Sequence, residues 1–179
     1  MSDVMTLDAY GTLIEPATLK IQRLLPGPID RVWAYLTDGA LRRQWLAAGA
    51  MDGKPGSSFE FVWRNDELTD PPGQRPAHMP EEHRMTCTIL EFDAPRRLVI
   101  SWGEKQTGQV DFTLEEQGGK VLLTLIHRRI PDRNVLLNVS SGWHAHLDIM
   151  AARLAGTKPA PHWDHWISLR AEYDKRLPA

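Results

Sequence analysis

The stretch VDFTLEEQGGKVLLTLIH, residues 110–127, contains the pattern that decides the fold class. Apolar and polar residues alternate on both sides of Gly118-Gly119, as Val110 and Phe112 show before the pair and Leu123 and Leu125 after it. Alternation with a period of two is typical of a strand that has one covered face. A Gly-Gly pair between two such runs predicts a tight turn. The stretch therefore predicts an antiparallel hairpin.

Strand patterns with the same period lie upstream of this hairpin. Thr18–Leu25 is predicted as the first strand because Pro26, Gly27 and Pro28 form a turn directly after it. The covered faces of two further strands carry Phe59, Phe61, Trp63, Leu98, Ile100 and Trp102. Together the segments predict an antiparallel sheet with one wet face and one covered face.

Helical spacings supply the cover for this sheet. Trp143, Leu147, Met150 and Leu154 recur every three or four residues, and Gly156 is well placed to end that helix. Because Ser140, Ser141 and Gly142 precede the pattern, Trp143 is predicted at the head of the helix. A short helix pair is predicted after the first strand from Ile29, Val32, Trp33 and Leu36, followed by Leu41 and Trp45. The fold class is therefore α+β, a curved antiparallel sheet wrapped around a long C-terminal helix.

The chain divides into three predicted parts. Residues 1–16 are expected to form an N-terminal arm, residues 17–157 the domain, and residues 158–179 a C-terminal extension helix. This extension helix docks on the domain or on a second subunit, and a homodimer is expected because Trp166 and Tyr173 need burial. The Pro-rich segment 65–82 is interpreted either as a solvated insertion or as a lid over the cavity mouth.

Length, charge and cysteine content exclude several classes of protein. A chain of 179 residues fits one domain, and a net charge of −2 gives no general attraction to nucleic acid or anionic lipid. No basic n-region or long apolar segment is present, so no membrane association is expected. The single cysteine, Cys87, cannot form an intramolecular disulfide, and a cytoplasmic location is therefore expected.

A series of short motifs in a fixed order resembles a known superfamily. In chain order they are Val32-Trp33, Trp45, PRRLVISW at 95–102, LTLIH at 123–127, Gly142-Trp143 and Leu147-Asp148. This order resembles the START-like (SRPBCC) superfamily, and most of all its branch of homologues of the activator of the ninety-kilodalton heat-shock-protein ATPase. The resemblance covers Leu19–Gly156 and implies a helix-grip fold around a hydrophobic cavity. It also implies a chaperone as a partner.

Two departures from the family pattern limit what the resemblance implies. The paired glycine that is common before the second strand is Gly56-Ser57 here. The eukaryotic activator also uses an additional N-terminal domain, for which this chain has no room. The chaperone-activating role is therefore the weaker implication of the resemblance.

The aromatic residues of the predicted elements indicate where a ligand would bind. Five of the seven tryptophans lie on elements that surround one predicted cavity, although the same rings could instead fill a dry core. His127 and His146 are the predicted polar groups of the wall. The predicted ligand-binding residues are Trp33, Trp45, Phe59, Phe61, Trp63, Ile100, Trp102, Phe112, His127, Trp143, His146, Leu147 and Met150.

No motif predicts a catalytic centre, a metal site or a cofactor. Asp8 begins a segment similar to the nucleophile motif of haloacid-dehalogenase-type phosphatases, but that motif needs a parallel α/β fold. Cys87 is in phase with a strand pattern and is predicted as a buried small residue. His144 and His146 point in different directions on a helix, and no cysteine completes a zinc set with His162 and His165. No metal is therefore expected.

Three functions are consistent with these patterns. The leading hypothesis is the non-catalytic binding of a small hydrophobic or aromatic ligand in the internal cavity. The alternatives are a chaperone-modulating or other protein-interaction role, and an enzyme of the cyclase or hydrolase kind. The enzyme would need two polar residues within hydrogen-bond reach of each other inside the cavity.

Overall fold

A computed structural model describes residues 7–103 and 108–178 of the chain. The first six residues of the predicted N-terminal arm lie outside this part. The strands are β1 (Thr12–Glu15), β2 (Thr18–Pro26), β3 (Ser58–Trp63), β4 (His83–Asp93), β5 (Arg97–Trp102), β6 (Gly108–Gln117) and β7 (Lys120–Arg128). The helices are α1 (Ile29–Thr37), α2 (Gly39–Arg42), α3 (Arg133–Ala155) and α4 (His162–Arg176), with a 3-10 turn at Asn65–Glu67.

The strands form one seven-stranded antiparallel sheet in the order β1-β2-β7-β6-β5-β4-β3. The hairpin predicted from residues 110–127 is present, with Gln117 paired to Lys120 across Gly118-Gly119. The two glycines have φ angles of 54° and 82°, in the region that favours glycine. The predicted α+β class, with a curved antiparallel sheet, is confirmed.

The N-terminal arm contains a strand that the sequence analysis did not identify. β1 pairs with β2, with Leu13 opposite Leu19, and thereby extends the edge of the sheet. Four residues are too few to show a periodic pattern, so this strand could be found only from its partner. The second short helix also differs from the expectation, because it ends at Arg42 and Trp45 lies in the turn that follows.

The long C-terminal helix begins ten residues earlier than its apolar spacing predicts. α3 starts at Arg133, where the side chain of Asp132 caps the helix by accepting a hydrogen bond from the backbone N–H of Val135. Ser141 lies inside the helix, where its hydroxyl donates to the carbonyl of Leu137, one turn earlier. Trp143 is therefore in the middle of α3, and its predicted position at the helix head was wrong. Gly156 ends the helix with a φ of 73°, as predicted.

The extension helix α4 packs against α3 of the same chain. Its Trp166 and Tyr173 are buried there. The Tyr173 hydroxyl accepts a hydrogen bond of 2.7 Å from the backbone N–H of Gly11, so α4 also fixes the N-terminal segment. The burial that motivated the expected homodimer is thus supplied within one chain.

The connection between α2 and β3 depends on a buried arginine. Arg42 is only 1% exposed. Its guanidinium donates to the carbonyls of Leu36, Ala47 and Gly49 and lies over the ring of Phe61. One side chain therefore contacts the end of α1, the loop after α2 and the edge strand β3.

In the described part of the chain, no helix combines the length and apolar character needed to cross a bilayer.

Candidate functional site

A cavity of about 390 Å³ lies between the sheet, α3, α4 and the loop after β3. Its lining is mainly apolar and aromatic, which is the usual composition of a small-molecule site. The lining residues are Leu46, Trp63, Asn65, Met79, Pro80, Glu81, His83, Met85, Trp102, Asn138, Val139, Gly142, Trp143, His146, His162, Trp163 and Trp166.

Indole rings from three elements form one wall of the cavity. Trp63 on β3 and Trp102 on β5 have ring centroids 5.9 Å apart, and Trp143 on α3 lies 5.4 Å from Trp102. Alternation along each strand places Trp63 and Trp102 on the inner face of the sheet. The sheet and α3 thus present a continuous aromatic surface to the cavity.

The position of Trp143 is fixed by His127, which lies behind it. The Trp143 indole N–H donates to Nδ1 of His127 over 3.1 Å, so the indole has a partner without using the cavity. His127 is almost fully buried, and this burial lowers its pKa to about 4. At neutral pH the imidazole is therefore uncharged and accepts through Nδ1.

Two further histidines of the cavity lining lie against each other. The rings of His146 on α3 and His162 on α4 have centroids 4.9 Å apart. Burial lowers the pKa of His146 to about 4 and that of His162 well below its usual range. His146 Nδ1 is hydrogen-bonded to the carbonyl of Trp45 at 2.8 Å. Nδ1 of His162, in contrast, is buried and has no hydrogen-bond partner within the described residues.

The Pro-rich segment after β3 contributes residues to the cavity lining and is attached to α4. The indole N–H of Trp163 donates to the Asp66 carboxylate at 2.7 Å, and the Trp163 backbone N–H donates to the carbonyl of Pro72. Further along the segment, Met79 and Glu81 belong to the lining, and Glu81 is exposed. The segment is therefore packed on the domain along its first part and reaches the solvent at its second part.

Four of the predicted ligand-binding residues lie in the cavity wall: Trp63, Trp102, Trp143 and His146. Trp33 packs edge-on against Phe92 instead, with ring centroids 5.1 Å apart. Trp45 is fully buried, and its indole N–H donates to the carbonyl of Tyr35. The other predicted residues are buried in the core outside the lining: Phe59, Phe61, Ile100, Phe112, His127, Leu147 and Met150.

The contribution of α4 to the site was not predicted from the sequence. His162, Trp163 and Trp166 line the cavity, although they belong to the segment predicted as an extension. Trp163 and Trp166 are three residues apart and share a helix face, which could have indicated a second aromatic stripe. What the sequence does not show is which surface of the domain that stripe meets.

The described residues show no arrangement around Cys87 or Asp8 that resembles a nucleophilic centre. Cys87 is fully buried, as predicted, and burial raises the pKa of its thiol to about 11. It is therefore protonated at neutral pH and a poor nucleophile. Asp8 accepts a hydrogen bond from the backbone N–H of Tyr10 and lies outside the sheet.

The comparisons with known proteins agree with this fold. A family model described as activator of Hsp90 ATPase homolog 1-like protein matches residues 26–155. The solution structure of the protein encoded by gene BPP1335 from Bordetella parapertussis is 35% identical, with a TM-score of 0.79, over 100% of this chain and 97% of that chain. No match was found among curated proteins.

More distant solved structures share the fold alone. CalU16 from Micromonospora echinospora, in its crystal structure, is 22% identical with a TM-score of 0.64, over 88% of this chain and 86% of that chain. The conserved protein of unknown function EF2215 from Enterococcus faecalis is 17% identical with a TM-score of 0.69, over 93% of this chain and 89% of that chain.

Proposed function

Because the chain belongs to the family of activator of Hsp90 ATPase homolog 1-like proteins, whose fold supports binding roles, we propose that it binds a small hydrophobic or aromatic ligand in the cavity. The ligand is bound without a defined reaction being catalysed. Trp63, Trp102 and Trp143 form the apolar surface on which it lies.

The observation that carries this proposal is the set of indole rings in the lining, because Trp63, Trp102, Trp143, Trp163 and Trp166 all line one cavity of about 390 Å³. A cavity of this size with a mainly apolar, aromatic lining is the usual form of a small-molecule site. The expected ligand is therefore a small apolar or aromatic molecule.

The electrostatics of the two cavity histidines favour binding over catalysis. General acid-base catalysis is most effective when the pKa of the group is near the working pH. The pKa of His146 is about 4, and that of His162 is also far below its usual range. Both imidazoles are therefore weak bases at neutral pH, and they serve as uncharged hydrogen-bonding groups.

A chaperone-modulating role is the second candidate, and the description of the matching family is the observation that favours it. Such a role needs a surface that binds the chaperone. Among the described residues, the exposed large hydrophobic side chains lie on four different elements: Ile14, Leu24, Leu90 and Ile167. This distribution does not define one docking surface, and the cavity is the better supported site.

Substitutions at Gly142 give the sharpest test of ligand binding. Gly142 lines the cavity from α3, and a Cβ atom added there would meet only Trp166 Nε1, at 4.0 Å. A phenylalanine at this position should therefore fill cavity volume without disturbing the helix. We expect N-phenylnaphthylamine to bind the wild-type protein saturably, and Gly142→Phe to weaken its binding by about tenfold or more, or about 1.4 kcal/mol.

Gly142→Ala is the matched control. It adds only the Cβ atom, and replacing a helical glycine by alanine should raise the free energy of unfolding by about 0.5–1 kcal/mol. Binding measured by probe fluorescence should remain close to the wild-type value. Equal binding by the wild-type and Gly142→Phe proteins, both shown to be folded by circular dichroism, would exclude the cavity as the binding site.

A further inference from the structure

We propose that His144, Asp148 and His165 bind a divalent transition-metal ion of the zinc type. The three side chains are not part of the cavity lining, and they meet at the contact between α3 and α4. His144 and Asp148 are one helical turn apart on α3, and His165 faces them from α4. The site therefore forms only when the two helices are packed together.

The ligand atoms are close enough to share one ion. Nε2 of His165 lies 2.8 Å from Oδ2 of Asp148, and Nε2 of His144 lies 3.4 Å from the same oxygen. All three ligand positions fall within 4.8 Å of one another. In a tetrahedral zinc site with bonds of about 2.0–2.1 Å, neighbouring ligand atoms are about 3.3 Å apart. A small movement of the partly exposed His165 ring is sufficient to reach that geometry.

Surrounding residues orient two of the three ligands. Oδ1 of Asp148 accepts from Arg23 Nε at 3.1 Å and from a terminal nitrogen of Arg23 at 3.0 Å, which leaves Oδ2 for the ion. Nδ1 of His144 is 2.9 Å from the Tyr173 hydroxyl, which leaves Nε2 for the ion. Metal-binding histidines usually have their second nitrogen held in this way. Two of the three ligands are thus already oriented by hydrogen bonds to neighbouring side chains.

The types of ligand indicate the class of ion. Two imidazole nitrogens and one carboxylate oxygen suit zinc and similar first-row metals, whereas magnesium and calcium prefer oxygen ligands alone. Three protein ligands leave a fourth position for water, as in catalytic rather than structural zinc sites. Asp148 and His165 are about one-third exposed, so the ion can enter from solvent.

The charges near the site set its expected strength. The Arg23 guanidinium lies against Asp148 and opposes a second cation, whereas the carboxylate of Asp8 acts on His144 with the opposite sign. The two effects offset each other in part, and we expect binding weaker than that of a structural zinc site. Since no fold element depends on the ion, the metal-free protein should remain folded.

The test uses the full chain after removal of metal with a chelator. We expect isothermal titration to give one Zn²⁺ per chain, and Co²⁺ to produce visible absorption bands typical of nitrogen and oxygen ligands. His165→Ala should weaken Zn²⁺ binding by about tenfold or more, since it removes one of the three ligands. The substitution should leave the protein folded because the His165 side chain is about one-third exposed. His78→Ala removes an exposed histidine elsewhere and should leave binding unchanged.

Circular dichroism of each variant shows whether folding has been preserved. If His165→Ala is unfolded, Asp148→Asn replaces it, because the amide keeps the shape of the carboxylate but is a much poorer ligand. The proposal is overturned if the wild-type protein binds no stoichiometric Zn²⁺. It is equally overturned if folded His165→Ala or Asp148→Asn binds Zn²⁺ as tightly as the wild type, or if His78→Ala is the variant that weakens binding.

Discussion

Acidification from pH 7 to pH 4 should remove a large part of the folding stability, because buried histidines must remain uncharged in the folded state. The folded-state pKa of His127 is about 4, against about 6.5 in an unfolded chain. The unfolded chain therefore binds a proton more tightly. This contribution to stability is complete above about pH 6.5 and is lost as the pH falls towards 4. For His127 alone it amounts to roughly 3 kcal/mol.

His162 should act in the same direction, since burial also lowers its pKa. The check is the free energy of unfolding in urea, measured at intervals between pH 7 and pH 4. His127→Gln is the matched variant, because its amide oxygen can still accept from the Trp143 indole but does not titrate. The free energy of unfolding of this variant should fall less steeply with decreasing pH than that of the wild type. The difference between the two slopes should be up to about 1.4 kcal/mol per pH unit. Parallel curves for the two proteins would contradict the lowered pKa of His127.

Replacement of Arg42 by alanine should lower the free energy of unfolding by at least about 3 kcal/mol. The substitution removes the donor for three carbonyls, those of Leu36, Ala47 and Gly49. It also removes the packing of the guanidinium over Phe61. Although burial lowers the pKa of Arg42 to about 10, the group is still charged at neutral pH and donates to all three acceptors.

Arg43, the residue next to Arg42 in the sequence, provides the control for the Arg42 substitution. Arg43 is half exposed and pairs with the equally exposed Glu67 at 3.6 Å, so Arg43→Ala should change stability by no more than about 0.5 kcal/mol. Arg42→Lys should also be destabilising, because an ammonium group lacks the planar fork that reaches separated carbonyls. Both comparisons are made by urea unfolding at pH 7. Similar losses for Arg42→Ala and Arg43→Ala would show that the buried network does not stabilise the fold.

The sheet could be predicted from the sequence because the alternation of apolar and polar residues along a strand indicates which face of the strand is covered. Phe59, Phe61 and Trp63 are buried on β3 as their spacing predicts, and the hairpin at Gly118-Gly119 is in its predicted place. The boundaries of the helices were harder to predict from the sequence. The start of α3 depends on the capping side chain of Asp132 and on Ser141, whose polar side chain was interpreted as a break.

The candidate site was predictable only where one element determines the direction of a side chain. Trp63 and Trp102 follow strand alternation, and the structure places both in the cavity wall. Trp45 follows a helical spacing that ends before it, and its indole is instead paired with the carbonyl of Tyr35. The contribution of His162, Trp163 and Trp166 depends on how α4 docks, which is a long-range packing result.

The cluster of His144, Asp148 and His165 shows the same limit. Histidine pairs within single helices gave no reason to expect a metal. The structure adds a carboxylate one turn from His144 and a histidine from the neighbouring helix. Such a set arises from the packing of α3 against α4, and local spacing does not contain it.

Binding of a small molecule in the indole-lined cavity can be followed through the seven tryptophan indole N–H signals in a ¹H–¹⁵N NMR spectrum during titration with N-phenylnaphthylamine. We expect the signals of the five tryptophans that line the cavity, Trp63, Trp102, Trp143, Trp163 and Trp166, to shift saturably. Those of Trp33 and Trp45, which lie outside it, should remain in place. Shifts confined to Trp33 and Trp45, or no saturable shift at all, would contradict binding in the cavity.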